Sequence, residues 1–136
     1  MAAGDRAADD ALKESWEIQS AASSLGFDWP DAGGVLDKLS EELQELRVAW
    51  EAGDTAHAQR ELGDLLLASV NLARFLETDP AGELRRANER FSRRFEGVKK
   101  HIAARGRSME TCTLAELDAV WEEVKAVVDE GLNGSP

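Results

Sequence analysis

Leu36, Leu39, Leu43, Leu46 and Trp50 recur at alternating three- and four-residue steps, and this rhythm constrains the fold more than any other feature of the chain. Residues so spaced share one stripe of an α-helix, the pattern of a helix that packs along a bundle seam. Gly53 and Asp54 end that helix, expected over about 34–52, and Thr55 can cap another that reaches about Glu77. On the latter, Leu62, Leu65, Leu66, Ser69, Ala73 and Leu76 share a face. A connector of only a few residues leaves the two helices little choice but an antiparallel hairpin.

The remaining segments carry the same punctuation. A first helix is expected over about 9–25, stopped at Gly26, and the Phe27, Trp29 and Pro30 that follow either pack over the bundle end or face a ligand base. Asp79 and Pro80 start a fourth helix that reaches about Arg105 and ends at Gly106. Thr113 with Glu116 forms a capping box for a fifth, from Leu114 to about Glu130. No alternating β-branched stretch suggests a sheet. The expected fold is therefore all-α, a bundle of about five helices. At 136 residues and 43% apolar content, one core is expected. A single domain over 11–130 lies between a tail at 1–10 and a frayed end at 131–136.

Bulk properties exclude several classes of function. The longest strongly apolar run, Leu65 to Val70, is far below the roughly 20 residues that cross a bilayer. A net charge of -11 disfavours nucleic acid and anionic lipid as partners. Residues 1–10 have no apolar signal core, and the lone Cys112 has neither a bridging partner nor a Cys or His at ligand spacing. Both features suit a cytoplasmic protein.

The informative residues are acids. Glu41, Glu42 and Glu45 lie on the second helix, Glu61 and Asp64 on the third. Side chains three or four apart sit on one side of a helix, so Glu42 with Glu45, and Glu61 with Asp64, form two ledges that border the apolar seam. Paired across it, four carboxylates converge with Glu41 just outside, and their repulsion calls for a hard divalent cation. The spacing alone also fits a solvated acidic face. Asn71, two turns beyond Asp64, suits a ligand, a water or a base edge, or a purely structural amide. A di-iron bundle would need Glu-x-x-His pairs, which are absent, so His57 and His101 read as surface or boundary residues.

Nine of the sixteen basic residues fall between Arg85 and Arg107. Arg90 and Arg94 share a face there, suited to gripping phosphate oxygens or to balancing nearby acids. Phe91 and Phe95 beside them read as a core-facing pair. Trp121 and Lys125 set an aromatic plane beside a cation, equally explained by core filling and a snorkelling lysine.

The pattern as a whole resembles the MazG family of nucleotide pyrophosphohydrolases. Its EExxE and ExxD motifs correspond to Glu41, Glu42, Glu45 and to Glu61, Asp64. The flanking stretches GFDWPDAGGVLDKLSEELQEL, ELGDLLLASVNLARFL, RRANERFSRRFEGVKK and LDAVWEEVK extend the likeness over about 26–125. The resemblance implies magnesium, with manganese a substitute, held by Glu42, Glu45, Glu61 and Asp64, and Glu41 assisting a second ion or orienting water. It implies nucleotide contacts from Arg90, Arg94, Trp121 and Lys125, with Arg90 standing where lysine is common. It further implies a four-helix core formed or completed in a homodimer, or a higher homo-oligomer, and hydrolysis of nucleoside triphosphates at the α-phosphorus to monophosphate and pyrophosphate. Longer members carry two such domains, of which this chain looks like the catalytic copy. The competing readings are a relative specialised for one substrate, such as dUTP, dCTP, a damaged nucleotide or phosphoribosyl-ATP, and a noncatalytic acidic interaction module.

Overall fold

The computed structural model describes residues 3–133, with side chains placed at 7 and 9–129. The described residues are all-helical, as expected: α1 (Ala3–Ser24), α2 (Ala32–Glu51), α3 (Thr55–Phe75), α4 (Pro80–Ala104) and α5 (Leu114–Asn133), with a 3-10 turn at Met109–Thr111. Alanine-rich sequence lets α1 start at Ala3, earlier than its expected start near Asp9. Helix α5 likewise runs on to Asn133. Residues 1–2 and 134–136 of the two expected tails lie outside the described residues. Among the described residues, no helix is long and apolar enough to cross a membrane.

The chain divides into two compact units, Met1–Glu83 and Leu84–Pro136. In the first, Asp31 caps α2 by accepting from the Gly33 N–H at 2.8 Å. Gly53, at φ 73°, turns the chain into α3. The cap of α3 is Asp54 rather than the expected Thr55. Its backbone is not yet helical, and its carboxylate reaches the His57 N–H at 3.2 Å, whereas Thr55 already lies in the helix. Helix α1 is tied to α3 by the Gln19 side chain, whose Nε2 donates to the Leu67 carbonyl at 3.2 Å.

The α2–α3 hairpin forms, but its buried stripe is not the leucine stripe. Val35, Glu42 and Ala49 are buried on α2, and Glu61, Ala68, Val70 and Ala73 on α3. Leu36, Leu43, Trp50, Leu62, Leu66 and Leu76 remain about half exposed or more. The interface is displaced by one residue because small side chains, Ala49 and Ala68 foremost, permit close approach of the helices, which a row of leucines would hold apart.

In the second unit, α4 and α5 pack through Val98, Ile102, Val120 and Val124, with Leu117, Met109 and Cys112 against them. Gly97 is required at this contact, because a Cβ there would stand 2.5 Å from Val124 Cγ1. The capping box forms as expected: the Glu116 N–H donates to Thr113 Oγ1 at 3.1 Å while Glu116 Oε1 accepts from the Thr113 N–H. Arg107 pairs with Glu116 and donates to the Thr111 carbonyl, which fixes the connector. Phe91 and Phe95 do not face this core as expected. They stack on each other at 6.2 Å, and Phe91 meets Trp121 at 5.3 Å, yet both rings stay exposed. Within this unit their cover is aromatic and incomplete, since the aliphatic contacts of α5 are spent one to two turns further along α4.

Candidate active site

Two carboxylates sit where a hairpin would ordinarily place leucine. Glu42 is 5% exposed and Glu61 7%. Removing an ionised carboxylate from water costs several kcal/mol after relaxation, so an arrangement of this kind requires compensating charge. Oxygens of Glu42, Glu45 and Glu61 lie within 4.8 Å of one another. Part of the compensation is local. Lys38 Nζ lies 3.0 Å from Glu42 Oε1, and His57 Nε2 lies 3.1 Å from Glu61 Oε1. The remaining oxygens, Oε2 of Glu42 and Oε2 of Glu61, are buried without a hydrogen-bond partner.

The two carboxyls divide their titration unequally. Glu61 is pushed above the usual carboxylate range, by Glu42 first and by burial second. Glu42 is pulled below it, by the neighbouring Glu61 carboxyl first and by Lys38 next. Proximity thus favours one negative charge where two acids stand. Buried, orphaned carboxylate oxygens at short mutual distance fit a hard divalent cation, which takes six or more oxygen ligands.

Of the other predicted acids, Asp64 is exposed one turn beyond Glu61. It stands outside the three-residue cluster but lines the same cavity as Glu42. Glu41 is exposed and 3.7 Å from Lys38. That cavity, about 600 Å³, lies within the first unit and is also lined by Lys38, Phe27, Trp29, Gln19, Asn71 and Arg74. Trp29 rests against Gly34, where an added Cβ would come 2.5 Å from the indole. Phe27 and Trp29 therefore line a cavity as well as crossing between helices. Arg74 Nη2 reaches Asp28 Oδ2 at 3.0 Å, and its Nη1 donates to Asn71 Oδ1. The guanidinium holds the Asp28 carboxyl down at about 2.

In the second unit, Arg94 forks onto Asp129, with 2.7 Å between Nη2 and Oδ2, and lies 5.9 Å from the Trp121 ring centroid. Arg90 is half-buried and Lys125 exposed on α5. Sequence reading missed Lys38, Asp28, Arg74 and Asp129. Lys38 was within reach, standing four residues before Glu42. The pairs Asp28–Arg74 and Arg94–Asp129 join residues 46 and 35 apart and leave no local trace.

A helical hairpin with acids buried in its seam, opening onto a nucleotide-sized cavity, defines an all-helical domain with a candidate cation site. Comparison with known proteins gives the family. The MazG nucleotide pyrophosphohydrolase domain matches residues 33–103, and the chain belongs to that family. It is 43% identical over 115 residues to the nucleoside triphosphate pyrophosphohydrolase/pyrophosphatase MazG of Thermotoga maritima, covering 85% of this chain and 44% of that protein. To the nucleoside triphosphate pyrophosphohydrolase of Escherichia coli K12 it is 44% identical over 119 residues, with the same coverage. The chain thus spans less than half the length of these relatives.

Proposed function

We propose that this chain hydrolyses nucleoside triphosphates to nucleoside monophosphate and pyrophosphate with the help of magnesium. The observation that carries this reading is the pair of buried, unpartnered oxygens on Glu42 and Glu61, with Glu42 and Asp64 also lining a cavity of nucleotide size. Family membership and the activity for which the two relatives are named support it. Glu42, Glu45, Glu61 and Asp64 would hold the cation, with manganese a substitute for magnesium. A cation bound there would neutralise the triphosphate and withdraw electron density from the attacked phosphorus. Glu41 would assist a second ion or orient the attacking water. The resemblance assigns phosphate oxygens to Arg90, Arg94 and Lys125 and the base to Trp121, and in-line attack of water on the α-phosphorus would expel pyrophosphate. Arg94 then exchanges Asp129 for phosphate. The working protein is a homodimer in the cytoplasm, with residues 11–130 acting as one domain.

A panel of ribo- and deoxynucleoside triphosphates, assayed with and without magnesium while pyrophosphate and orthophosphate are resolved, tests this directly. Pyrophosphate is the expected first product, and only with the metal. Orthophosphate as first product would rule out attack at the α-phosphorus. No turnover and no magnesium effect on melting would favour an acidic interaction module.

A further inference from the structure

We infer that the Arg74–Asn71 pair selects the nucleobase, preferring bases that carry a carbonyl over those that carry an amino group at the same edge; the inference rests on the nucleotide reading above and deepens it. Asn71 lies seven residues beyond Asp64 on α3, about 10 Å along the helix axis, which is beyond the phosphates of a substrate anchored at the acids. Phe27 and Trp29 line the same cavity and offer flat apolar surface to a base.

The orientation of the Asn71 amide is not arbitrary. Arg74 has only donors, and its Nη1 donates to Asn71, so the oxygen of the amide must face the guanidinium. The NH2 edge is what remains for the cavity. Arg74 is itself fixed by Asp28, which accepts from Nη2 at 3.0 Å, and its side chain is 13% exposed. It cannot readily turn away and let the amide flip. A fixed donor suits the O4 of uracil or thymine and the O6 of guanine, and opposes the N4 amino group of cytosine and the N6 amino group of adenine. Asn71 is thereby a specificity residue that touches the base, and Arg74 a positioning residue that acts through it.

The test is kcat/KM for the magnesium complexes of UTP, CTP, GTP and ATP. We expect UTP over CTP and GTP over ATP by about tenfold, the effect of one hydrogen bond gained against one donor left unpaired. Asn71→Asp replaces the donor with an acceptor and inverts both ratios. Arg74→Lys retains a charge for Asp28 but loses the two-pronged hold, and brings both ratios toward one while the thermal melt shows a folded protein. Equal wild-type ratios, or an Asn71→Asp effect uniform over the four bases, would overturn the inference and leave Arg74 as a strut between α3 and the α1–α2 connector. If no triphosphate yields pyrophosphate, the enzymatic reading fails separately. Calorimetric titration with UMP and CMP then decides: tighter UMP binding upholds base selection, and equal or absent binding ends it.

Discussion

Glu61 and Asp64 differ in burial, and the difference separates their roles. Glu61 is enclosed in the hairpin with its carboxyl pushed above the usual range, so its charge destabilises the metal-free protein, whereas Asp64 is solvated and imposes little strain. Glu61→Gln and Asp64→Asn should each lower turnover by about a hundredfold or more, because both remove a proposed cation ligand. Only Glu61→Gln should raise the melting temperature without metal, and calorimetric scans with and without magnesium would reveal it. A lower metal-free melting temperature in that variant would contradict the repulsion described above. Asp28 gives a prediction about pH. Its folded value of about 2 lies below its ordinary 3.8, so its contribution is whole above about pH 4 and is lost as pH falls through about 2. Asp28→Asn should cost about 1 kcal/mol at neutral pH, the worth of an ion pair still within reach of water, and flatten the acid limb of stability between those values. Urea melts at pH 7, 4 and 2.5 would show whether the gap between variant and wild type narrows.

At the scale of helices, what was written locally could be read. Five helices, the Asp79 start of α4 and the Thr113–Glu116 box follow from short-range hydrogen bonding, and all are present. The face each helix buries depends on its neighbours, and there hydropathy misled. Leu36, Leu43 and Leu62 were expected inside and Glu42 and Glu61 at the border, and the reverse holds. The error is informative, because an apolar pattern assigns the seam by transfer free energy alone, while a site that binds a cation places acids there against that preference. The convergence of Glu42, Glu45 and Glu61 was therefore legible from motif and spacing, but the place of Asp64 outside the cluster and the enclosure of Glu42 and Glu61 were not. Close approach at Gly97 belongs to the same class of unwritten detail. Gly97→Ala would drive a methyl into Val124 Cγ1 at 2.5 Å, so α4 and α5 must separate. A loss of about 1–3 kcal/mol is expected, typical of overpacking, although alanine is the better helix former. Gly63, whose added Cβ meets nothing within 4 Å, is the control: Gly63→Ala should be neutral or stabilising in the same denaturant titration.

The molecule as a whole carries -11 net charge, yet on α2 and α3 it leaves Leu36, Leu43, Leu62 and Leu66 each about half exposed. Isolated exposed leucines are ordinary, but here they recur at seven residues on α2 and four on α3, so each set forms a stripe along its helix. A stripe of that spacing is what a helix presents to a partner helix. The hairpin has already spent its own inner face on Val35, Ala49 and Ala68, and a second copy is the partner consistent with a homodimeric four-helix core. Association must overcome the repulsion of two acidic chains, so apolar burial has to dominate and added salt should strengthen the dimer by screening. Sedimentation at tens of micromolar should therefore give close to twice 14.8 kDa, and the melting temperature should fall on dilution. Leu43→Glu should shift the population toward the single-chain mass, whereas Lys13→Glu, on exposed α1, should not. A single-chain mass at every concentration and salt would mean that these leucines face water in the working protein.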